Sequence, residues 1–457
     1  MKRNNLYKYF FTAALALSFA SCDKKLDINP TTEVDASTAL ETDGDFKSAV
    51  VGAYSILGGG ALYGTNLNIM PELQAYEGYA IWGGTFQSYR QIATKSITIA
   101  NADVTRTWVE AYEAINIANL LLESSSKIAD ADLRTEIEGE AAFIRGILHF
   151  ELARFYGLPY EAGKQNIQPA VPIILKGVTD SEGAYQLSSR NTVEEVYAQA
   201  IKDLTTATEK LTESGSDNKA SKYTAMAFLS RVYLQMGQYE KARDLANTVI
   251  EESGKTLNTS VTAAFANKNT NETLFEIQAN DQNNVGTSND GLTTFYSGQT
   301  DGTGRADFYI NPEFLKSFED TDVRKTNQIY VGRRSRNYSG KWTSFGQNIP
   351  VIRLAEMYLV RAETNARLKT AIGDTPVNDL NLIRRRAGAS VKTTATVDQI
   401  LNERILELCF EGVRIHDFKR TKRTTGTFAY NSDDLVFPVP EREMRANKQL
   451  VQNPGYE

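Results

Sequence analysis

Apolar positions recur every three or four residues along most of this chain, the spacing that lines one face of a helix. The clearest run lies between Glu136 and Tyr156, where Ile137, Ala141, Ile144, Leu148, Leu152 and Phe155 follow one another at steps of 4, 3, 4, 4 and 3. Gly157 and Pro159 supply its stop. The same reading predicts helices over 46–57, 105–123, 192–211, 221–236, 239–252, 350–369, 376–387 and 398–411. The expected class is therefore mostly α.

In one stretch the pattern implies a helical pair. From Tyr223 to Ala242, the positions of Tyr233, Gly237, Tyr239 and Ala242 fit the helix-turn-helix of a tetratricopeptide repeat. Gly237 can take a positive φ to end the first helix, and Ala242 lets the two helices approach. Such a hairpin cannot bury its own face, so further pairs are expected to stack on it. Between roughly 255 and 345 the character changes: Asn, Gly, Thr and Ser become frequent, with room for short strands such as Leu274 to Gln278. A shorter patch of this kind spans Gly58 to Tyr89. Long loops on a rigid helical scaffold are where binding surfaces usually sit.

Composition adds exclusions. With 41% apolar and 23% charged residues, the 457-residue chain is that of an ordinary globular protein with ample length for a large core. Its formal charge of −6 gives no basic field for a phosphate backbone, so nucleic acid is not an expected partner. The N-terminus reads as an export signal: Lys2, Arg3 and Lys8, then an apolar run from Phe10 to Ala20, too short to span a bilayer as a helix. Removing residues 1–21 takes away those three cations and no acid, moving the charge from −6 to −9. Ser18-Phe19-Ala20-Ser21-Cys22 is similar to a bacterial lipobox, with Phe19 where an aliphatic residue is usual. Cys22 is then the expected lipidation site, the alternative being an ordinary cleaved signal and a free secreted protein. The other cysteine, Cys409, lies in an apolar stretch and reads as a buried inert thiol.

Six segments, in order, resemble the SusD/RagB family. They are Cys22 to Pro30; Glu140-Ala141 through Phe155-Tyr156-Gly157-Leu158-Pro159; Ile349 to Leu359; Leu380 to Gly388; Glu403 to Arg420; and Leu435-Val436-Phe437-Pro438-Val439-Pro440-Glu441 with Gln452-Asn453-Pro454-Gly455-Tyr456. The resemblance implies a SusD-like fold built on tetratricopeptide-type helical pairs with a loop-rich, irregular ligand-binding part. It implies a lipoprotein on the outer face of the outer membrane of a Bacteroidetes-type bacterium. There it would capture a glycan and deliver it to a SusC-type TonB-dependent transporter. Peptide capture in a RagB-like manner, or an envelope scaffold without nutrient ligand, are the alternatives. The expected division is signal 1–21, tether 22–40, an N-terminal helical part 41–255 and a C-terminal part 256–457, forming one compact domain.

Candidate chemistry is sparse. Sugars present apolar C–H faces and polar rims, so their sites need flat aromatic platforms beside amides and hydroxyls. Trp108 lies on an amphipathic helix with Tyr112 and Ile115 and reads as core. Trp82, with Tyr79 beside it, lies among glycines without helical periodicity and is the first platform candidate, or else a loop aromatic that plugs the core. Trp342, Tyr296 and Tyr309 follow. Glu403, Glu407 and Glu411 fall on one helical face and need cations, for which Arg404, Arg414, Lys419 and Arg420 are near in sequence. The two histidines, His149 and His416, both fall in scaffold segments, and no catalytic or cofactor motif stands in a usable context. The expectation is a binding protein with no cofactor and no metal, not an enzyme.

Overall fold

The computed structural model describes residues 39–179, 188–215 and 218–456. The expected signal, Cys22 and nearly all of the tether lie outside these residues. Helices dominate: α1 (Asp43–Leu57), α2 (Asn66–Gln74), α3 (Gln87–Ala93), α4 (Ala102–Ser124), α5 (Ala131–Tyr156), α6 (Val193–Lys210), α7 (Lys222–Gln235) and α8 (Tyr239–Glu252) in the first half. After a stretch of loops and short strands come α9 (Leu292–Tyr296), α10 (Leu354–Leu368), α11 (Pro376–Arg386), α12 (Val397–Glu407) and α13 (Arg414–Arg420). Their starts are chemically marked. Thr42, Thr192 and Thr396 each form a reciprocal capping box with the residue three positions on, and Asn101 and Asp130 cap α4 and α5 through their side-chain oxygens.

The longer helices pack largely in chain order, α4 on α5, α5 on α6, α6 on α7, α7 on α8, and α8 on α10. Between α7 and α8 the chain turns at Gly237, whose φ is +70°, as its sequence predicts. The long α5 is central; Phe143, Ile144, Ile147, Leu148, Phe150 and Phe155 show no exposed surface. Two small antiparallel sheets complete the fold. One has the order β1 (Ala80–Trp82), β3 (Phe308–Ile310), β5 (Asn337–Ser339), β4 (Ile329–Val331), and the other pairs β2 (Thr273–Ile277) with β6 (Ile349–Arg353).

Three expectations about elements change. The segment 350–353 is strand, not helix; Pro350 and the β-branched Ile349, Val351 and Ile352 suit a ladder better than a helix, which starts at Leu354. The helix predicted to reach 411 ends at Glu407, since Phe410 and Gly412 adopt φ of +63° and +76°. Inside the patch read as loop, α2 forms with all nine residues buried, so no polar face marks its period, and Pro71 in its interior argues against it locally.

Glu403, Glu407 and Glu411 do recruit cations, but not those near in sequence. Glu403 pairs with Arg324 and Arg384, Glu407 with Arg324, Arg353 and Arg386, and Glu411 with Lys341 and Arg353. Burial alone would raise the Glu407 carboxyl; the guanidiniums of Arg386, Arg353 and Arg324 outweigh it and hold the group well below the usual carboxylate range. Arg404 and Arg420 instead clasp Asp417, and Arg414 donates to the Ala75 carbonyl at 2.8 Å. This lattice is a structural element of the core.

Candidate glycan-binding cavity

Above the β2–β6 pair lies a cavity of about 560 Å³. Phe275, Ile277 and Ile349 of the two strands form part of its lining, and the C-terminal half of α1 supplies Val51, Tyr54 and Ser55. The remaining walls come from Gly58 and Gly59, from Asn218 and Lys219 before α7, from the loop 279–291, the start of α9, and the loop 342–347. Apolar surface is open here: Val51 is 55% and Phe345 37% exposed. The loop amides are held in place. Gln347 accepts from the backbone N–H groups of Thr343 and Ser344, both at 2.9 Å, and donates to the Lys341 carbonyl at 2.7 Å, bracing the turn that carries Phe345. The phenyl ring of Phe345 rests on Gly286, where any Cβ would fall on the ring. Asn280 Oδ1 accepts from Gln282 and Asn283 N–H at 2.9 and 2.7 Å and closes the opposite loop. Gln278, exposed, is oriented by Asn348 and Asn269, both at 2.9 Å. Glu276 is the one carboxylate among the described lining residues, and burial raises its pKa.

The far end of the 279–291 loop is anchored from below. Asp290 accepts from Arg106 Nη1 at 2.6 Å, and the same guanidinium donates to Asp103 at 2.7 Å and to Asn66 and Tyr89 at 3.2 Å each. The loop thereby rests on α4, α2 and α3. Gly60 permits the approach, since a Cβ there would fall on the Asp290 carboxylate.

The aromatic residues expected to form platforms are distributed otherwise. Tyr79, Tyr296 and Trp342 have no exposed surface. Tyr79 stacks on Phe410 at 4.7 Å and its hydroxyl accepts the Phe410 N–H at 2.7 Å; Tyr296 packs on Phe308 at 5.2 Å. Trp342 backs the cavity wall and donates its indole N–H to the Phe410 carbonyl at 2.9 Å. A ring without an accessible face cannot stack on a ligand, so these three are core residues. Trp82 is half-buried on the inner side of β1, edge-on to Tyr89 at 5.5 Å and tilted on Phe295 at 6.0 Å, a wedge rather than a shelf. Tyr309 is half-buried on the other side of the same sheet, with the Arg336 guanidinium 4.0 Å from its ring centre. The sequence reading missed Phe345 and Val51. Phe345, between Ser344 and Gly346 in a loop, carries the signal that singled out Trp82; Val51 is an apolar residue off the buried stripe of α1. Trp108 is core as expected, edge-on to Tyr156 at 4.9 Å.

This mostly helical body with a loop-walled cavity set on a small sheet recurs among known proteins. The family described as "Starch-binding associating with outer membrane" matches residues 34–234, and the SusD family matches residues 325–434. The chain is 24% identical to the SusD-like protein P2 of Formosa agariphila, over 98% of this chain and 99% of that one. The crystal structure of a putative sugar binding protein from Bacteroides vulgatus superposes with a TM-score of 0.82 at 26% identity, covering 92% of this chain and 100% of that one. A laminarin binding SusD-like protein shares the fold at a TM-score of 0.76 and 20% identity, over 91% of this chain and 100% of that one. This chain belongs to the SusD/RagB family.

Proposed function

We propose that this protein captures a glycan in the cavity above β2 and β6 and passes it to a SusC-type TonB-dependent transporter in the outer membrane. The observation that carries the reading is the cavity itself, where an open phenyl ring and aliphatic lining stand beside amides already oriented by the protein. Such a surface meets the apolar faces and hydroxyl rims of sugars without first ordering its own side chains. The relatives' descriptions as starch-binding, sugar binding and laminarin binding support the same class of ligand. In this reading the protein captures and does not cleave: hydrolysis by paired carboxylates needs two facing groups, and Glu276 is the carboxylate of the described lining. Residues 1–21 act as the export signal in this reading and Cys22 carries the lipid, which holds the body against the outer surface of the membrane.

The test is calorimetry of the form lacking residues 1–22 against neutral and charged polysaccharides, their oligosaccharides and peptides, with the products analysed for cleavage. Saturable glycan binding without turnover, weakened by Phe345→Ala, is the expected result. Binding to peptides alone would move the ligand class, and released sugar would overturn the reading. Co-purification with a TonB-dependent barrel tests the transporter step.

A further inference from the structure

In the four-stranded sheet, β4 and β5 are joined by Gly332-Arg333-Arg334-Ser335-Arg336, a turn that carries three arginines. Arg334 and Ser335 both lie in the left-handed region, with φ of +59° and +52°. Asn-Gly is the pair that tight hairpins favour at two such positions, because other side chains are strained there. An arginine and a serine hold the turn instead, which points to a use for the arginine.

The charges of this turn are not spent inside the protein. Arg334 is exposed, and neither it nor Arg336 has an ion pair among the described residues. The Arg336 guanidinium lies 4.0 Å from the Tyr309 ring centre, and its side chain makes no hydrogen bond among the described residues. Arg333 donates to the Gly304 carbonyl, and its Nε has no partner among the described residues. Beside them Arg305 stacks on Phe86 at 4.9 Å and pairs with Asp307 at 2.8 Å, and Asp301 lies within electrostatic reach of Arg333. All three guanidiniums of the turn act on one point: burial raises the Tyr338 phenol, and Arg336, Arg333 and Arg334 oppose that rise. On a chain whose net charge is −6, this is a local basic surface with an aromatic ring beneath it. The segment from Thr293, in the cavity wall, to Gly298, whose carbonyl accepts the Arg333 N–H at 2.8 Å, runs directly from the cavity to the turn.

We infer that this turn is a subsite for the anionic group of an acidic saccharide, a carboxylate or a sulfate, gripped by Arg334 and Arg336 beside Tyr309. The inference rests on the glycan-capture reading and narrows it to charged glycans. Guanidiniums match the geometry of both oxyanions in a way that ammonium groups do not.

The test compares polygalacturonate, dextran sulfate and neutral dextran by calorimetry at low and high salt, for the native chain and for Arg334→Gly/Arg336→Gln. Glycine suits the left-handed backbone at position 334, so the double variant keeps the turn. Arg336→Gln alone, away from the left-handed pair, is the second variant. At least one charged polymer is expected to bind tenfold or more tightly than dextran, to weaken as salt rises, and to lose that advantage in the double variant while melting is unchanged. Preference for polygalacturonate identifies the carboxylate, and preference for dextran sulfate the sulfate. Equal affinity for neutral and charged polymers, or charged binding indifferent to both variants, overturns the inference and leaves glycan capture standing. Binding to no saccharide of any charge overturns both.

Discussion

Phe345 and Trp342 stand three residues apart on one loop, the first more than a third exposed and the second with no exposed surface. Their removal should therefore have opposite consequences. Phe345→Ala is expected to weaken ligand binding about tenfold, roughly 1–2 kcal/mol, with little change in melting temperature. Trp342→Ala should cost about 3–5 kcal/mol of stability, read by urea unfolding, because it empties a packed site and orphans the Phe410 carbonyl. From sequence the two were indistinguishable, since an aromatic among glycines and serines can plug a core or lie open, and only the packing of Phe265 and Phe410 around position 342 decides. His149 carries a pH signature. Burial pushes its pKa down from 6.5 to about 4, so the folded state refuses a proton that the unfolded chain accepts. Its penalty is absent above pH 6.5, grows as pH falls, and levels off below about 4, reaching about 3 kcal/mol. His149→Gln should flatten this part of the stability profile, measured by urea unfolding at each pH.

At the scale of elements, the cavity's long loop depends on a strut that lies outside it. Arg106 of α4 holds Asp290, and Gly60 leaves room for that pair. Arg106→Ala or Gly60→Ala should loosen 283–291, seen as faster amide exchange and protease cleavage there, and should weaken binding although neither side chain lines the cavity. The long amphipathic helices were legible because their faces alternate between core and water; 239–252 matches its predicted span. What was illegible lacked that contrast. Helix α2 is buried all round, and β6 is an apolar run whose short length and Pro350 had to be weighed against the helix that follows it. The glutamate row showed a need for cations without revealing their source, because Arg324, Arg353 and Arg386 reach it only through the tertiary fold.

For the molecule as a whole, attachment and capture are separable in the proposed reading. Cys22→Ser should release the protein from the membrane fraction, checked by fractionation and detergent partitioning, while leaving the glycan affinity of the soluble body unchanged. The body itself is stitched across great lengths of chain. Ala80 of β1 stands opposite Ile310 of β3, and Gln74 of α2 donates to the Leu435 carbonyl, 361 residues away in sequence, at 3.0 Å. Contacts of such long range form late, and a chain made N-terminus first cannot close them until its last third exists. The floor of the cavity is built from both Phe275 and Ile349, so a nascent fragment ending before β6 lacks part of that floor. In the proposed reading, a chain wired this way has no ligand site until β6 has been made and has paired with β2.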